Sequence, residues 1–265
     1  MELSLYWIDA FADRIFAGNP AAVVPLTSWP ADTLMQQIAR ENGVSETSFF
    51  VRTGPARAHL RWFTPSVEVD LCGHATLAAA HAIFHELGQP GEVIVFDSKS
   101  GPLTVTRRGD LLELDFPSLP AEPAEAPADL LRGLGTNPVS VARSRRAWLC
   151  VLDSAEAVVA LRPDAAALAR LVPGRIIVTA PGRDCDFVSR FFAPDAGILE
   201  DPVTGSSHCT LAPYWAARLG RDELHARQVS SRGGELWCSL KGDRVRIAGR
   251  SAVYLRGRLA LTFPS

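Results

Sequence analysis

The sequence has no run of like charge. Its 27 Lys and Arg and 29 Asp and Glu are interspersed, and the net charge is −2. Without a basic stripe there is nothing to neutralise a phosphate backbone or an anionic bilayer, so neither nucleic acid nor membrane is an expected partner. No apolar stretch reaches transmembrane length. The start, MELSLYWIDAF, has no basic segment and alternates like a strand, so no signal peptide is expected and a cytoplasmic location is. The five cysteines, Cys72, Cys150, Cys185, Cys209 and Cys238, are odd in number, scattered and never form CxxC. They read as reduced thiols rather than a disulfide framework. No Gly-x-Gly-x-x-Gly or Walker-type loop is present, and no cofactor is expected. Ser207-His208 lacks the Gly-x-Ser-x-Gly context of a hydrolase nucleophile. His81 and His85 have metal-ligand spacing on a helix but no third ligand, so no metal is expected.

What is present is a chain of 265 residues, 47% apolar, enough for one large domain or two ordinary ones. Alternating apolar residues predict strands over Leu3–Phe11, Ala21–Leu26, Ser48–Arg52, His59–Phe63 and Glu92–Phe96. A helix is predicted from Asp32 to the stop at Asn42-Gly43. Leu103–Thr106 and Leu111–Phe116 form a hairpin around Gly109-Asp110. The Pro, Ala and Glu run Pro117–Ala128 has no periodicity and reads as a linker. The expected organisation is an N-terminal lobe over 1–118, a linker over 119–128 and a C-terminal lobe over 129–265. The last strand, 254–262, is left open to either lobe. Within the second lobe, helices are predicted over Ala128–Leu134 and Ala165–Leu171, and strands over Trp148–Leu152, Ile176–Thr179 and Phe187–Phe192.

The two halves repeat one another. Arg61-Trp62-Phe63-Thr64-Pro65 matches Arg190-Phe191-Phe192-Ala193-Pro194. Gly73 and Gly205 each stand at the head of an apolar helix, Ala75–Leu87 and Ser207–Leu219, which ends at Leu87-Gly88 and Leu219-Gly220. Ser98-Lys99-Ser100-Gly101 matches Ser231-Arg232-Gly233-Gly234, and Gly109-Asp110 matches Gly242-Asp243. Order and spacing together argue for internal duplication. Both helices are apolar round most of their circumference, so each must be enclosed. A curved sheet wrapped round a central helix does this. Two such lobes facing each other would bring both helix starts, with their free N–H groups, to one cleft suited to a small anion.

Several residues at these starts admit two readings. Glu46, just before a strand, is either a solvated strand end or a carboxylate at the rim of an apolar cleft, with a raised pKa and able to shuttle protons. His74 is an exposed polar residue at a helix end or a donor to substrate. Asp201 is a turn residue before Pro202 or faces the cleft. Ser206 satisfies backbone N–H groups or occupies the place of His74 in the repeat. Cys72 precedes Gly73, but Thr204 precedes Gly205.

With these residues in hand, the chain resembles the PhzF family, the phenazine-biosynthesis-type isomerases of the diaminopimelate epimerase-like fold. The marks are Asp9-Ala10-Phe11 with Phe16-Ala17-Gly18-Asn19-Pro20-Ala21-Ala22, then Ser45-Glu46-Thr47, Arg61–Pro65, Glu68–Thr76, Ser189–Pro194 and Glu200–Ser206. The resemblance implies an α+β fold of two pseudo-symmetric lobes, each a curved, mostly antiparallel sheet around a central helix, and a homodimer. It implies Glu46 as acid/base with His74 and Asp201 beside it, and Asn19, Ser45, Gly73, Gly205 and Ser206 as substrate contacts. Thiol racemases of this fold use a cysteine before each helix-start glycine. Thr204 breaks that pair, which disfavours a two-thiol racemase. The expected function is a cofactor-independent isomerase moving a proton within a small carboxylate-bearing metabolite. The alternatives are an amino-acid epimerase or dehydratase using Cys72, and a non-catalytic small-molecule-binding or interaction protein.

Overall fold

The computed structural model describes residues 2–261. The chain divides into two units, Met1–Asp115 with Ala248–Ser265, and Phe116–Ile247. In the first unit, β1 (Glu2–Ala10) pairs antiparallel with β2 (Asn19–Leu26) across the loop 11–18. Phe11 and Phe16 take positive φ, 60° and 66°, uncommon for bulky residues. The Asp9 carboxylate accepts the Phe16 N–H at 2.9 Å and holds that turn. Gly18, at φ 65°, cannot be replaced, because a Cβ there would collide with the Ala10 carbonyl. This fixes where Asn19 begins β2.

Helix α1 (Asp32–Asn42) follows and ends at Gly43 in the left-handed region. It buries Met35, Ile38 and Ala39 in a cluster with Val24, Phe49 and Phe63. The chain returns as β3 (Glu46–Gly54), parallel to β2, then β4 (Arg57–Phe63), antiparallel to β3. The short β5 (Glu68–Val69) pairs with β4 and delivers the chain to α2 (Gly73–His81). Cys72 is still extended, and the Thr76 hydroxyl donates to its carbonyl. All of α2 from His74 to His81 is buried, as a helix apolar on every side requires. The predicted helix to Leu87 is α-helical only to His81. A wide π turn, Ala82–Glu86, completes it. After α2, β6 (Val93–Ser98) runs parallel to β4, and β7 (Gly101–Arg108) and β8 (Leu111–Pro117) continue antiparallel.

The second unit opens in the predicted linker, which is packed structure instead. There β9 (Glu122–Pro123) pairs with β10 (Ser140–Arg143), and Leu119 N–H donates to Cys209 O at 2.9 Å. Ala124 and Ala126 rest on the core. A Pro-rich run without periodicity can still be held one backbone bond at a time. Between β9 and β10 lies α3 (Ala128–Leu134). Next, β11 (Trp148–Val151) is antiparallel to β10 and parallel to β12 (Ile176–Pro181), with α4 (Ala155–Ala160) and α5 (Ala165–Leu168) between them. Strand β13 (Phe187–Ala193) is antiparallel to β12 and to the short β14 (Ile198–Asp201). A 3-10 turn, Gly205–Ser207, leads into α6 (His208–Leu219). Then β15 (Glu223–Gln228) runs parallel to β13 and antiparallel to β16 (Gly234–Lys241), followed by β17 (Arg244–Gly249). The order of pairings matches that of the first unit.

The remaining strand, β18 (Ser251–Ala260), belongs to the first unit and not to a C-terminal lobe running to the end. It pairs antiparallel with β1 along its length, from Ser251↔Ala10 to Ala260↔Glu2. The last residue of the predicted strand, Thr262, lies outside the described residues. Among the described residues no helix is long and apolar enough to cross a membrane.

Candidate active site

Glu46, His74, Asn19, Ser45, Gly73 and Cys72 come together in the first unit. Glu46 opens β3 beside Ala21 of β2. His74 is in the first turn of α2, and its Nε2 lies 3.1 Å from Glu46 Oε2. The side chains are 7% and 14% exposed, so this ion pair is largely shut from water. Beyond this ion pair, Oε2 has no further hydrogen-bond partner among the described residues. The other ring nitrogen, Nδ1, is 3.2 Å from Asn19 Nδ2 and 3.5 Å from Cys72 Sγ. Ser45 Oγ donates to Asn19 Oδ1 at 3.5 Å, a long contact.

Asn19 is fully buried, with its side-chain amide on His74. On a neutral ring, its NH2 on Nδ1 would select the Nε2–H tautomer, whose proton faces Glu46. A protonated ring would be met by Oδ1 after a half-turn of the same amide.

The protonation states differ from the raised Glu46 pKa expected from sequence. Burial pushes the Glu46 carboxyl up, but the charge of His74 and its hydrogen bond, with that of Cys72, hold it below the usual carboxylate range. Burial also works against a charged His74. Interactions with Cys72 and Glu46 outweigh it and lift the ring well above the usual imidazole value. The pair is therefore carboxylate and imidazolium. Cys72 goes the other way: burial, then the Glu46 charge, push its thiol up to about 11. It is a protonated donor at neutral pH and no base.

The ligating atoms of Glu46, Cys72 and His74 lie within 4.8 Å of one another, a donor set that a soft divalent metal can use. His81 and His85 are not part of it. Their rings are 4.6 Å apart, His81 Nδ1 meets Ser251 Oγ at 2.7 Å, and burial brings His81 down to about 4.

Asp201, Gly205 and Ser206 belong to the second unit. Asp201 closes β14 and its carboxylate accepts the Thr204 hydroxyl. Gln228, which the sequence reading missed, fixes this turn. Its Nε2 donates to Asp201 O at 2.7 Å, and its Oε1 accepts the Thr204 N–H at 2.8 Å. No local signal marks it, since it lies 27 residues from Asp201. Ser206 is exposed, and Gly205 is buried under it.

The comparisons bear on this arrangement. A family model described as phenazine biosynthesis-like protein matches residues 8–259. A Pseudomonas aeruginosa protein named as an uncharacterized isomerase is 54% identical over 99% of this chain and 100% of its own length. The crystal structure of a phenazine biosynthesis protein of the PhzF family from Enterococcus faecalis superposes with a TM-score of 0.95 at 44% identity, covering 98% of this chain and 100% of that one. A hydroxyproline epimerase from Agrobacterium vitis, at 12% identity and a TM-score of 0.64 over 99% of this chain and 94% of that one, shares the fold alone.

Proposed function

Because the chain belongs to the phenazine biosynthesis-like protein family, whose curated relatives include proteins named isomerases, we propose that it is a cofactor-independent isomerase acting on a small carboxylate-bearing metabolite. The observation that carries this reading is the buried Glu46 carboxylate with its Oε2 3.1 Å from the His74 ring nitrogen. An ionised carboxylate can act as a base, and a neighbouring imidazolium keeps it ionised and can offset the negative charge left on the substrate once the proton has gone. Glu46 removes a C–H proton next to the conjugated carboxylate and returns it to another carbon of the same system. The bond broken and the bond formed are both C–H, so no electrons leave the substrate. Backbone N–H groups at Gly73–His74 or Gly205–Ser206 stabilise the enolate-like charge. Asp201 and Ser206 orient substrate, and Asn19 and Ser45 set the His74 ring. A homodimer is part of the same reading, and sedimentation tests it.

Glu46→Gln keeps the shape of the side chain and removes the base. Exchange of substrate C–H protons with deuterated solvent should fall at least ~100-fold, the scale of general acid–base catalysis. Near-normal exchange would remove Glu46 from the mechanism. The reading based on Cys72 is disfavoured by the thiol's raised pKa and by Thr204 at the matching place. Substrate-protected alkylation of Cys72 with loss of activity would restore it. A protein that binds a small acid and exchanges none of its protons would be a binding protein instead.

A further inference from the structure

The strand register shows what stands in the second unit where the Glu46 cluster stands in the first. Across β3 and β4, Ser48 faces Trp62, and Trp62 faces Val69 of β5. Across β12 and β13, Ile177 faces Phe191, and Phe191 faces Asp201 of β14. Glu46 lies two residues before Ser48, and Arg175 lies two residues before Ile177. His74 follows Gly73, and Ser206 follows Gly205. Where one unit has a carboxylate and an imidazole, the other has a guanidinium and a hydroxyl.

These two residues line one pocket, together with Arg146 from the turn before β11. Ile177, Phe191 and Leu119 form its apolar wall, and neither Asp nor Glu lines it. Neither guanidinium has a hydrogen bond or ion pair within the described residues, whereas Arg190 and Arg61 are each clamped by a carboxylate. Two unneutralised cations beside an apolar wall repel each other, and an anion placed between them removes that cost. The room is about 30 Å³. That admits the end of a ligand and not a whole one.

We propose that this pocket is an oxyanion subsite in which Arg175, Arg146 and the Ser206 hydroxyl hold a terminal carboxylate or phosphate group of a small acid. That the acid is the substrate of the Glu46 cluster rests on the function proposed above; the anion site itself does not. The arginine forks grip two oxygens of a planar or tetrahedral anion, so the ligand carries at least one oxyanion away from its reacting carbon.

The test is calorimetric titration of the full chain with succinate and, separately, with inorganic phosphate. Both should bind, and the tighter one identifies the group. Arg175→Gln and Arg146→Gln should each weaken binding about tenfold, and the double variant should abolish it, on the scale of a charge-assisted hydrogen bond. Both arginines are exposed, so the variants should melt with the wild-type chain. Arg175→Lys should recover only part of the affinity, since a point charge lacks the fork. Unchanged affinity in the double variant, or no binding of either anion to the wild-type chain, overturns the subsite. Glu46→Gln should bind the anion as the wild-type chain does. If its proton exchange is also normal, the proposed reaction fails while the subsite stands. If only the arginine variants behave as wild type, the subsite fails while the reaction stands.

Discussion

The two helix starts share a frame and differ in chemistry. Arg61 clamps Glu68 at 2.8 and 3.0 Å, and Arg190 clamps Glu200 at 2.7 and 2.8 Å. Each guanidinium also lies over the phenylalanine two residues on, Phe63 or Phe192. The carbonyl before the helix-start glycine is taken in both, by Thr76 Oγ1 on Cys72 O and by His208 Nδ1 on Thr204 O. Side chains that brace the backbone are thus alike. The others, Cys72, His74 and Glu46 against Thr204, Ser206 and Arg175, are not. One frame supports a buried carboxylate–imidazole–thiol cluster in one unit and a polar, cationic surface in the other.

The largest expected effect falls on the frame. Arg190→Ala should destabilise the chain by ~3 kcal/mol in denaturant unfolding, because the half-buried Glu200 carboxylate loses its partner. Val158 and Leu161 carbonyls lose a donor as well. Arg61→Ala should cost less, since one of its three acidic contacts is with exposed Asp32. The reverse ranking would break the equivalence of the two frames. Next comes Glu46→Gln, with its ~100-fold loss of exchange, equal to ~2.7 kcal/mol of barrier. Thr204→Cys, which restores the second thiol, should not rescue it. Gln228→Ala should cost ~1–3 kcal/mol, because the buried Thr204 N–H and Asp201 O lose their partners together.

The pH dependence sharpens the contrast further. Glu46 has a depressed folded pKa, so its contribution is present above the ordinary 4.5 and is lost as pH falls through the folded value. His74 has a raised one, so its contribution is full below 6.5 and is lost as pH rises through the folded value. Exchange rate against pH should therefore show a plateau with its acid limb below 4.5 and its alkaline limb above 6.5. An acid limb above 4.5 would place an uncompensated carboxylate in the role. The smallest effect is Cys72→Ser, which should change turnover less than ~10-fold, the thiol being a neutral donor.

Much of the frame could be read from residue order. The paired Arg-aromatic-Phe motifs, the helix-start glycines and the hairpins at Gly109 and Gly242 are local signals, and local chemistry encodes them. What escaped is non-local. Strand β10 and helix α4 are short and carry weak periodicity. The run 119–128 is held by single backbone bonds that composition does not announce. The Glu46 pKa depends on His74, 28 positions away in number but adjacent in space, so burial alone gave the wrong sign. Arg175 shows as the counterpart of Glu46 only once the register of β12 on β13 is known. Strand β18 is mostly exposed, so it lacks the alternation that would have tied it to β1.

That last pairing sets an order of events. Arg258 bonds to Glu2 across 256 positions, while Phe116–Ile247 is continuous in the chain. On a ribosome, β1 emerges early and waits, its outer edge open, until β18 has been made. All residues of the inner unit have been made before then. Asn19 and Glu46, at the starts of β2 and β3, belong to the unit that this late strand completes, so truncation upstream of Ser251 should disturb the Glu46–His74 pair while leaving the Arg175–Ser206 pocket unchanged.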